Sequence, residues 1–122
     1  MIKKSSTSGS QVAAEQGKED VMMKMTTIAE FQRLMRTLYG DKDSARGALG
    51  TTLWLVSEIG ELAEAIVKKK PLQSLENETA DILAWLCSVC NVLGIDLEES
   101  ATSKYNEKCP RCGSTPCSCP TK

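Results

Sequence analysis

Apolar residues recur every three or four positions over most of the chain after residue 25, which is the period of an amphipathic helix, and no segment alternates convincingly as strands do. The first helix is predicted to begin at Thr27, where Glu30 three residues later completes a capping box. It runs to about Tyr39, because the residues from Gly40 to Asp43 are typical of a turn.

The second helix is the longest segment with a helical pattern. It is predicted from Ser44 to Lys70, where Pro71 ends it because proline lacks the amide that a helix interior needs. Each glycine in a helix costs up to about 1 kcal/mol relative to alanine. We therefore expect a kink or a separate short turn between Gly47 and Gly50.

Two further helices complete the pattern. The third starts between residues 71 and 74 and ends at Gly94, which is suited to a left-handed cap. Asp96 with Glu99 forms a second capping-box pattern, which opens a fourth helix that runs to about Lys108. Four helices with short connections predict an all-α, antiparallel four-helix bundle.

The predicted bundle is small and is flanked by two tails. Residues 1–24 are polar and lack sustained apolar periodicity, so we expect a disordered N-terminal tail. The helical domain spans residues 25–108, and residues 109–122 form a Cys-rich tail. About 80 ordered residues are close to the size at which one core is marginal alone, so we expect a homodimer or homotetramer.

The second and third helices carry the same arrangement of side chains. On a wheel that turns by about 100° per residue, each has an apolar stripe bordered by a strip with one tryptophan and two acids. The apolar stripes are Leu55, Ile59, Leu62 and Ile66, and Leu75, Ile82, Leu86, Val89 and Leu93. The bordering strips are Trp54, Glu58 and Glu61, and Glu78, Asp81 and Trp85.

The two acidic strips predict a metal site. If the helices pack antiparallel through their apolar stripes, four carboxylates face one groove and repel each other unless a cation lies between them. Oxygen ligands without nitrogen or sulfur favour Mg²⁺, with Mn²⁺ as the alternative. One acidic pair at this spacing is usually a solvated surface feature, but its repetition on two helices, each time beside a tryptophan, favours a site.

Charge and composition argue against two classes of partner. Lys and Arg number 15 against 16 Asp and Glu, so the net charge of -1 offers no basic surface to a nucleic-acid polymer. Met1-Ile2-Lys3-Lys4 is followed by polar residues rather than the apolar core of a secretory signal, and the apolar runs are far shorter than the ~20 residues of a membrane span. We therefore expect a cytoplasmic protein without a membrane partner.

The acidic motif has a close parallel in a known family. Glu58-x-x-Glu61 is followed by Glu78-x-x-Asp81, and the first pair lies in the run Glu-Ile-Gly-Glu-Leu-Ala-Glu. In these residues the sequence resembles the MazG-like all-α nucleoside triphosphate pyrophosphohydrolase superfamily, over roughly residues 27 to 108. Ser57 departs from the pattern, since many relatives carry an acid just before the first glutamate.

The resemblance implies both an activity and site residues. Family members cleave nucleoside triphosphates between the α and β phosphates, giving a monophosphate and pyrophosphate, and assemble as dimers or tetramers. By resemblance Glu58, Glu61, Glu78 and Asp81 would be the catalytic metal ligands, and one glutamate would serve as the base. Proposed substrate contacts are Trp54 and Trp85 for the nucleobase and Lys104 and Arg46 for phosphate, with core packing and solvated surface positions as the alternatives.

The six cysteines fall into two groups. Cys109-Pro110-Arg111-Cys112-Gly113, followed by Cys117-Ser118-Cys119, resembles a zinc knuckle in which all four cysteines would bind structural Zn²⁺. Only four residues separate the two pairs, so a reduced or redox-active flexible tail and an iron–sulfur cluster stay open as alternatives. Cys87 and Cys90 lie within the third helix, where a packing role is expected.

Two readings from other classes compete with the enzyme. One is a non-catalytic module whose acidic groove and knuckle bind a nucleotide or protein partner. The other is a di-iron carboxylate bundle, which needs Glu-x-x-His motifs, and the chain contains no histidine. The preferred base and sugar, and the choice between a house-cleaning role and phosphoribosyl-ATP as substrate, stay open.

Overall fold

A computed structural model describes residues 26–121, and these form three helices and no strand. Helix α1 spans Ile28–Val67, α2 spans Leu72–Leu93 and α3 spans Leu97–Lys104. The all-α class is thus confirmed for this part of the chain. The tail predicted at residues 1–24 lies outside the described residues.

Helix α1 begins as predicted but does not stop at the predicted turn. The Thr27 side chain accepts from the Glu30 amide at 3.0 Å, and the Glu30 carboxylate accepts from the Thr27 amide at 3.0 Å, which completes the capping box. The helix then continues through Gly40 and Asp43, so the turn predicted there is wrong. Asp43 is buried and paired with Arg46 one turn later, and Arg46 in turn packs on Trp85 of α2, so these contacts override the weak turn preference of residues 40–43.

The break in α1 lies at Gly47, inside the segment where a kink was expected. Its φ of 86° and ψ of 167° are not helical and fall in a region that only glycine adopts readily. The non-helical backbone at Gly47 divides α1 into two helical segments, so the break between the first two segments lies there and not at residues 40–43, and the four-helix bundle stays a prediction.

A short connection folds α2 back along α1. The Lys68 amide bonds to the Glu64 carbonyl, the Lys70 amide bonds to the Ala65 carbonyl, and Lys69 takes a left-handed φ of 50°. Pro71 is the N-cap of α2. Residues at equal distances from this connection therefore face each other across the two helices, which determines the layout of the site.

The end of α2 follows the prediction, whereas α3 is shorter than expected. Gly94 has a left-handed φ of 72°, and the Ile95 amide bonds to the Cys90 carbonyl, as in a Schellman cap. The Asp96 side chain caps the Glu99 amide at 3.0 Å, as expected. The last helix ends at Lys104 and not near residue 108, because the cysteine tail begins its own turns there.

Gln32 joins the three helices through buried hydrogen bonds. Its amide nitrogen donates to Asn91 Oδ1 at 2.9 Å and to the Ile95 carbonyl at 2.8 Å, while its oxygen accepts from the Leu97 amide at 3.0 Å. A bond of 2.9 Å from the Ala29 amide to Glu98 adds a second link between α1 and α3. These contacts fix the α2–α3 connection against the first half of α1.

The core coincides only in part with the predicted apolar stripes, of which Val89 is buried while the other residues are half-buried or exposed. Its centre is Met35, Ala84 and Cys87, with Phe31, Tyr39 and Leu97 packed around them. Ile59 and Ile66, which were expected in the core, are 48% and 56% exposed. The face of α1 that meets α2 beyond the kink is instead centred on Thr51, Glu58 and Ala65, all of them buried.

The helices were also compared with what a membrane span requires. Among residues 26–121, no single helix is long and apolar enough to cross a membrane. Only α2 and α3 taken together, bent by 102°, reach that length and composition.

Candidate metal and nucleotide site

Three acidic side chains from α1 and α2 converge at one point. Glu58, Glu78 and Asp81 each place a carboxylate oxygen within 4.8 Å of the other two. Glu58 lies ten residues before Lys68 and Asp81 lies ten residues after Pro71, so the hairpin puts them opposite each other. The convergence therefore follows from the motif spacing and from the position of the connection.

The site is electrostatically strained without a cation. Glu58 is only 6% exposed, and its pKa is raised first by burial and then by repulsion from Glu61, Asp81 and Glu78. Burial also raises the pKa of Asp81, to which repulsion from Glu61 adds. Each shift reflects a charged form that is unfavourable in this surrounding, and a bound cation reverses that preference.

The donor atoms fit a hard divalent ion. Glu78 Oε1 is buried and has no hydrogen-bond partner among the described residues, so it is free to bind a ligand. Two oxygens on one Mg²⁺ ion lie at most about 4.2 Å apart, given Mg–O distances of about 2.1 Å. Neighbouring oxygens on such an ion lie closer, at about 3.0 Å, so the three carboxylates, which lie within 4.8 Å of one another, must move together by side-chain rotation to bind one ion.

Glu61 lies at the border of this group. It is exposed and does not belong to the three converging carboxylates, although its charge raises the pKa of both Glu58 and Asp81. The structure therefore brings three of the four predicted ligands together and leaves Glu61 beside them, open to solvent.

The two predicted tryptophans stack on each other. Their ring centroids are 5.9 Å apart with an interplanar angle of 14°, and each residue lies fourteen positions from the connection. Trp85 is 2% exposed and Trp54 is 45% exposed. Of the two tryptophans, only Trp54 therefore offers ring surface to a ligand, while the buried Trp85 packs against the Trp54 ring.

Arg46 is held in place beside the tryptophans. Its guanidinium carbon lies 4.9 Å from the centroid of the Trp85 ring, and its nitrogen donates to Asp43 at 2.8 Å and to Thr51 at 3.3 Å. The sequence analysis missed Asp43 and Thr51, both of which are buried. The i,i+3 spacing of Asp43 and Arg46 on one helix was the signal that could have identified the pair.

Lys104 lies apart from this arrangement. Its ammonium group is 5.8 Å from the centroid of the Tyr105 ring, and it lines a cavity of about 600 Å³ with residues of the cysteine tail. The phosphate contact suggested for Lys104 stays a prediction.

The four tail cysteines form a second cluster of metal-ligand type. The sulfur atoms of Cys109, Cys112, Cys117 and Cys119 all lie within 4.8 Å of one another. Hydrogen bonds from Ser118 and Ser114 lower the pKa of Cys112 to about 5, and backbone amides lower that of Cys109.

The remaining two cysteines are buried and do not belong to the tail cluster. Cys87 and Cys90 are buried in α2, and burial raises the pKa of Cys87 to about 11. A buried thiol with a raised pKa is unreactive, which agrees with the packing role expected for these two residues.

Comparison with known proteins agrees with the geometry. The family model of the MazG nucleotide pyrophosphohydrolase domain matches residues 46–113, which are 68 of the 122 residues. No curated protein matches the chain. The matched region contains all four motif carboxylates, both tryptophans and Arg46, and it covers more than half of the chain. The chain therefore belongs to the family of the MazG nucleotide pyrophosphohydrolase domain.

Proposed function

We propose that this protein hydrolyses nucleoside or deoxynucleoside triphosphates between the α and β phosphates in a Mg²⁺-dependent reaction, releasing a nucleoside monophosphate and pyrophosphate. The observation that carries the proposal is the convergence of Glu58, Glu78 and Asp81, with a buried oxygen of Glu78 left without a partner. Membership of the family supports the reaction class. The cellular role that we propose is house-cleaning or control of the nucleotide pool in the cytoplasm.

The proposed roles of the four carboxylates follow from their positions in the cluster and their exposure to solvent. Glu58, Glu78 and Asp81 would hold the ion, which when bound supplies positive charge against the phosphates and makes the attacking water more acidic. We assign the role of base to Glu61, because it is exposed beside the cluster and is not one of its three members. A P–O bond of the α–β bridge breaks, water supplies the new hydroxyl group, and its proton passes to Glu61.

The nucleobase is proposed to stack on Trp54. The outer part of this ring is accessible, and Trp85 below it is held by the Arg46 guanidinium. Arg46 is engaged with Asp43 and Trp85, so we assign it to positioning the tryptophans rather than to binding phosphate. Stacking on an aromatic ring accepts every base, which suits a protein that acts on several triphosphates.

The functional form is proposed to be a homo-oligomer. Six small or apolar residues on the second half of α1 follow a four-three spacing and are all exposed, and we call them the outer stripe. They are Leu49, Leu53, Val56, Gly60, Ala63 and Val67. This is the period of a two-helix seam, and no other helix of the described residues covers it. A second copy of the chain supplies a matching stripe through a two-fold axis.

The oligomer is tested with neighbouring substitutions of equal chemistry. Val56→Glu puts a charge into the outer stripe, whereas Ser57→Glu adds the same charge one residue away, outside the stripe. Sedimentation velocity is expected to show a dimer or tetramer for the wild type and Ser57→Glu, and a smaller species for Val56→Glu. A wild type that is monomeric at micromolar concentration would refute this part of the proposal.

The reaction itself is tested by chromatography of the products formed from a panel of canonical and modified nucleoside triphosphates with Mg²⁺. Wild type is expected to release monophosphate and pyrophosphate in equal amounts, and Glu61→Gln to lose nearly all turnover. Glu64→Gln is the matched control, because Glu64 is on the same helix but is exposed and bonded to Lys68. Nucleotide binding without turnover in the wild type would favour the non-catalytic module instead.

A further inference from the structure

The cysteine tail has the geometry of a metal site that is independent of the proposed reaction. Sulfur atoms around a tetrahedral zinc ion lie about 3.8 Å apart, because each Zn–S bond is about 2.3 Å long. The Cys109 and Cys119 sulfurs are 3.9 Å apart, and the Cys112 and Cys117 sulfurs are 4.0 Å apart. We propose that these four cysteines bind one structural Zn²⁺ ion.

The backbone around the cysteines donates hydrogen bonds to three of the four sulfurs. The amides of Arg111, Ser118 and Cys119 point at the sulfurs of Cys109, Cys112 and Cys117 from 3.4, 3.3 and 3.2 Å. Such N–H···S bonds neutralise part of the charge that zinc ligands carry and orient the ligands toward the metal.

The first cysteine pair lies in a closed turn. Gly113 has a left-handed φ of 73°, and its amide bonds to the Cys109 carbonyl at 2.8 Å, while the Cys109 amide bonds to the Ser114 carbonyl at 3.1 Å. A side chain at position 113 would be strained at this φ, which accounts for the Cys-x-x-Cys-Gly form. The turn brings the first two sulfurs to the same side of the loop.

Disulfide pairing does not explain the cluster. A disulfide bond is about 2.05 Å long, whereas the sulfurs of Cys109 and Cys119 and those of Cys112 and Cys117 are nearly twice as far apart. Each sulfur also has two other sulfurs as neighbours besides its closest one, which is a requirement of a four-ligand site and not of two separate bridges.

The zinc ion has a structural role, because four thiolates leave no open coordination position for a substrate. Most residues of the tail are exposed and belong to no helix, so they bury too little apolar surface to stay ordered alone. Zinc would therefore fix the position of Arg111 and of the other tail residues that line the cavity beside Lys104.

The first test is the metal content of the full-length protein, purified without chelator, by plasma mass spectrometry. We expect one zinc per chain in the wild type and a loss of nearly all of it in Cys112→Ser. Cys90→Ala, which removes a thiol outside the cluster, is the control and is expected to keep its zinc. Iron in place of zinc, or zinc retained by Cys112→Ser, would overturn the proposal.

The second test replaces zinc with Co²⁺ in the same protein. Four thiolates around Co²⁺ give strong visible absorption of the tetrahedral type together with a sulfur-to-metal band in the near ultraviolet, and both are expected to disappear in Cys112→Ser. Amide exchange at Gly113 and Ser118 should accelerate when the metal is chelated, while the far-ultraviolet circular dichroism of the helices stays unchanged. A spectrum without these bands, or amide exchange rates in the tail that do not change when chelator is added, would contradict the proposal. Both results are independent of whether the protein hydrolyses nucleotides.

Discussion

Replacing Glu58 with glutamine is expected to have opposite effects on stability with and without magnesium. The side chain is 6% exposed and has two carboxylate oxygens within 4.8 Å, one from Glu78 and one from Asp81. Glutamine keeps the size of the side chain and removes its charge. Without metal, the substitution therefore removes repulsion that the wild type must tolerate.

The size of the effect follows from Coulomb's law. At 4.8 Å, two unit charges repel by about 3.5 kcal/mol at an effective dielectric constant of about 20, and by about 0.9 kcal/mol in water. The partly open cluster lies between these limits, so we expect Glu58→Gln to stabilise the metal-free protein by roughly 1 to 3 kcal/mol. For a domain of this size each kcal/mol corresponds to about 4–8 °C in melting temperature.

In the presence of magnesium, the wild type is expected to be more stable than Glu58→Gln. An ion at 100 times its dissociation constant stabilises the wild type by about 2.7 kcal/mol, and a variant that lacks one of three ligands loses most of that gain. Thermal melts at fixed protein concentration measure the stability without metal, in chelator, and the gain in stability from Mg²⁺. Glu64→Gln is the exposed control. Catalysis by Glu58→Gln should fall by about 100-fold or more.

The stability difference between Glu58→Gln and the wild type in chelator is expected to grow as the pH rises. Because the pKa of Glu58 is raised above its ordinary value of 4.5, its ionised form costs stability at any pH above the raised pKa. The advantage of Glu58→Gln in chelator should therefore be full at neutral pH and disappear as the pH falls below about 4.5. A variant that is less stable than the wild type in chelator at neutral pH would refute the reasoning, since it would show that the carboxylate forms a favourable contact without metal.

Further substitutions test the fold and the proposed nucleobase contact. Gly47→Ala is expected to lower the free energy of unfolding by about 1–3 kcal/mol in chemical denaturation, because residue 47 has a φ of 86°. Gln32→Ala leaves Asn91 and two backbone groups without their buried partner, and should cost about 2–4 kcal/mol in the same measurement. Trp54→Ala should raise KM for every base by roughly 10-fold or more while changing kcat less, and a loss confined to kcat would contradict the stacking role.

Local sequence patterns predicted the ends of the helices well. Thr27 with Glu30, Asp96 and Gly94 all act as caps in the structure, because capping depends on residues three or four positions apart. The turn predicted at residues 40–43 is wrong because the structure there depends on contacts with residues far away in the sequence. Asp43 is held in a helix by Arg46, in a buried pair beside Trp85 that is assembled by distant parts of the chain.

The motif predicted three acids that converge in the structure, but the helical wheel placed Ile59 and Ile66 of α1 in the core, where they do not lie. The apolar stripe containing Ile59 and Ile66 was expected to face α2, and these residues are instead about half exposed. A wheel shows that a helix has two faces but does not say which one meets a given neighbour. Counting from the connection would have identified the facing pairs, since Trp54 and Trp85 are equally distant from it and stack.

The hairpin therefore holds carboxylates on its inner surface and leaves large apolar residues exposed on its outer one, and both features are unfavourable for a small domain alone. Glu58 and Asp81 repel each other inside, while Leu53 and Val56 face solvent outside. The proposed cation would remove the first disadvantage, and the proposed second copy of the chain would remove the second. Because both act on opposite faces of the same helix, α1, binding at one face favours the helix geometry that the other face needs. Magnesium binding and self-association are then expected to strengthen each other through this helix, in a protein whose single chain has only a small core of its own.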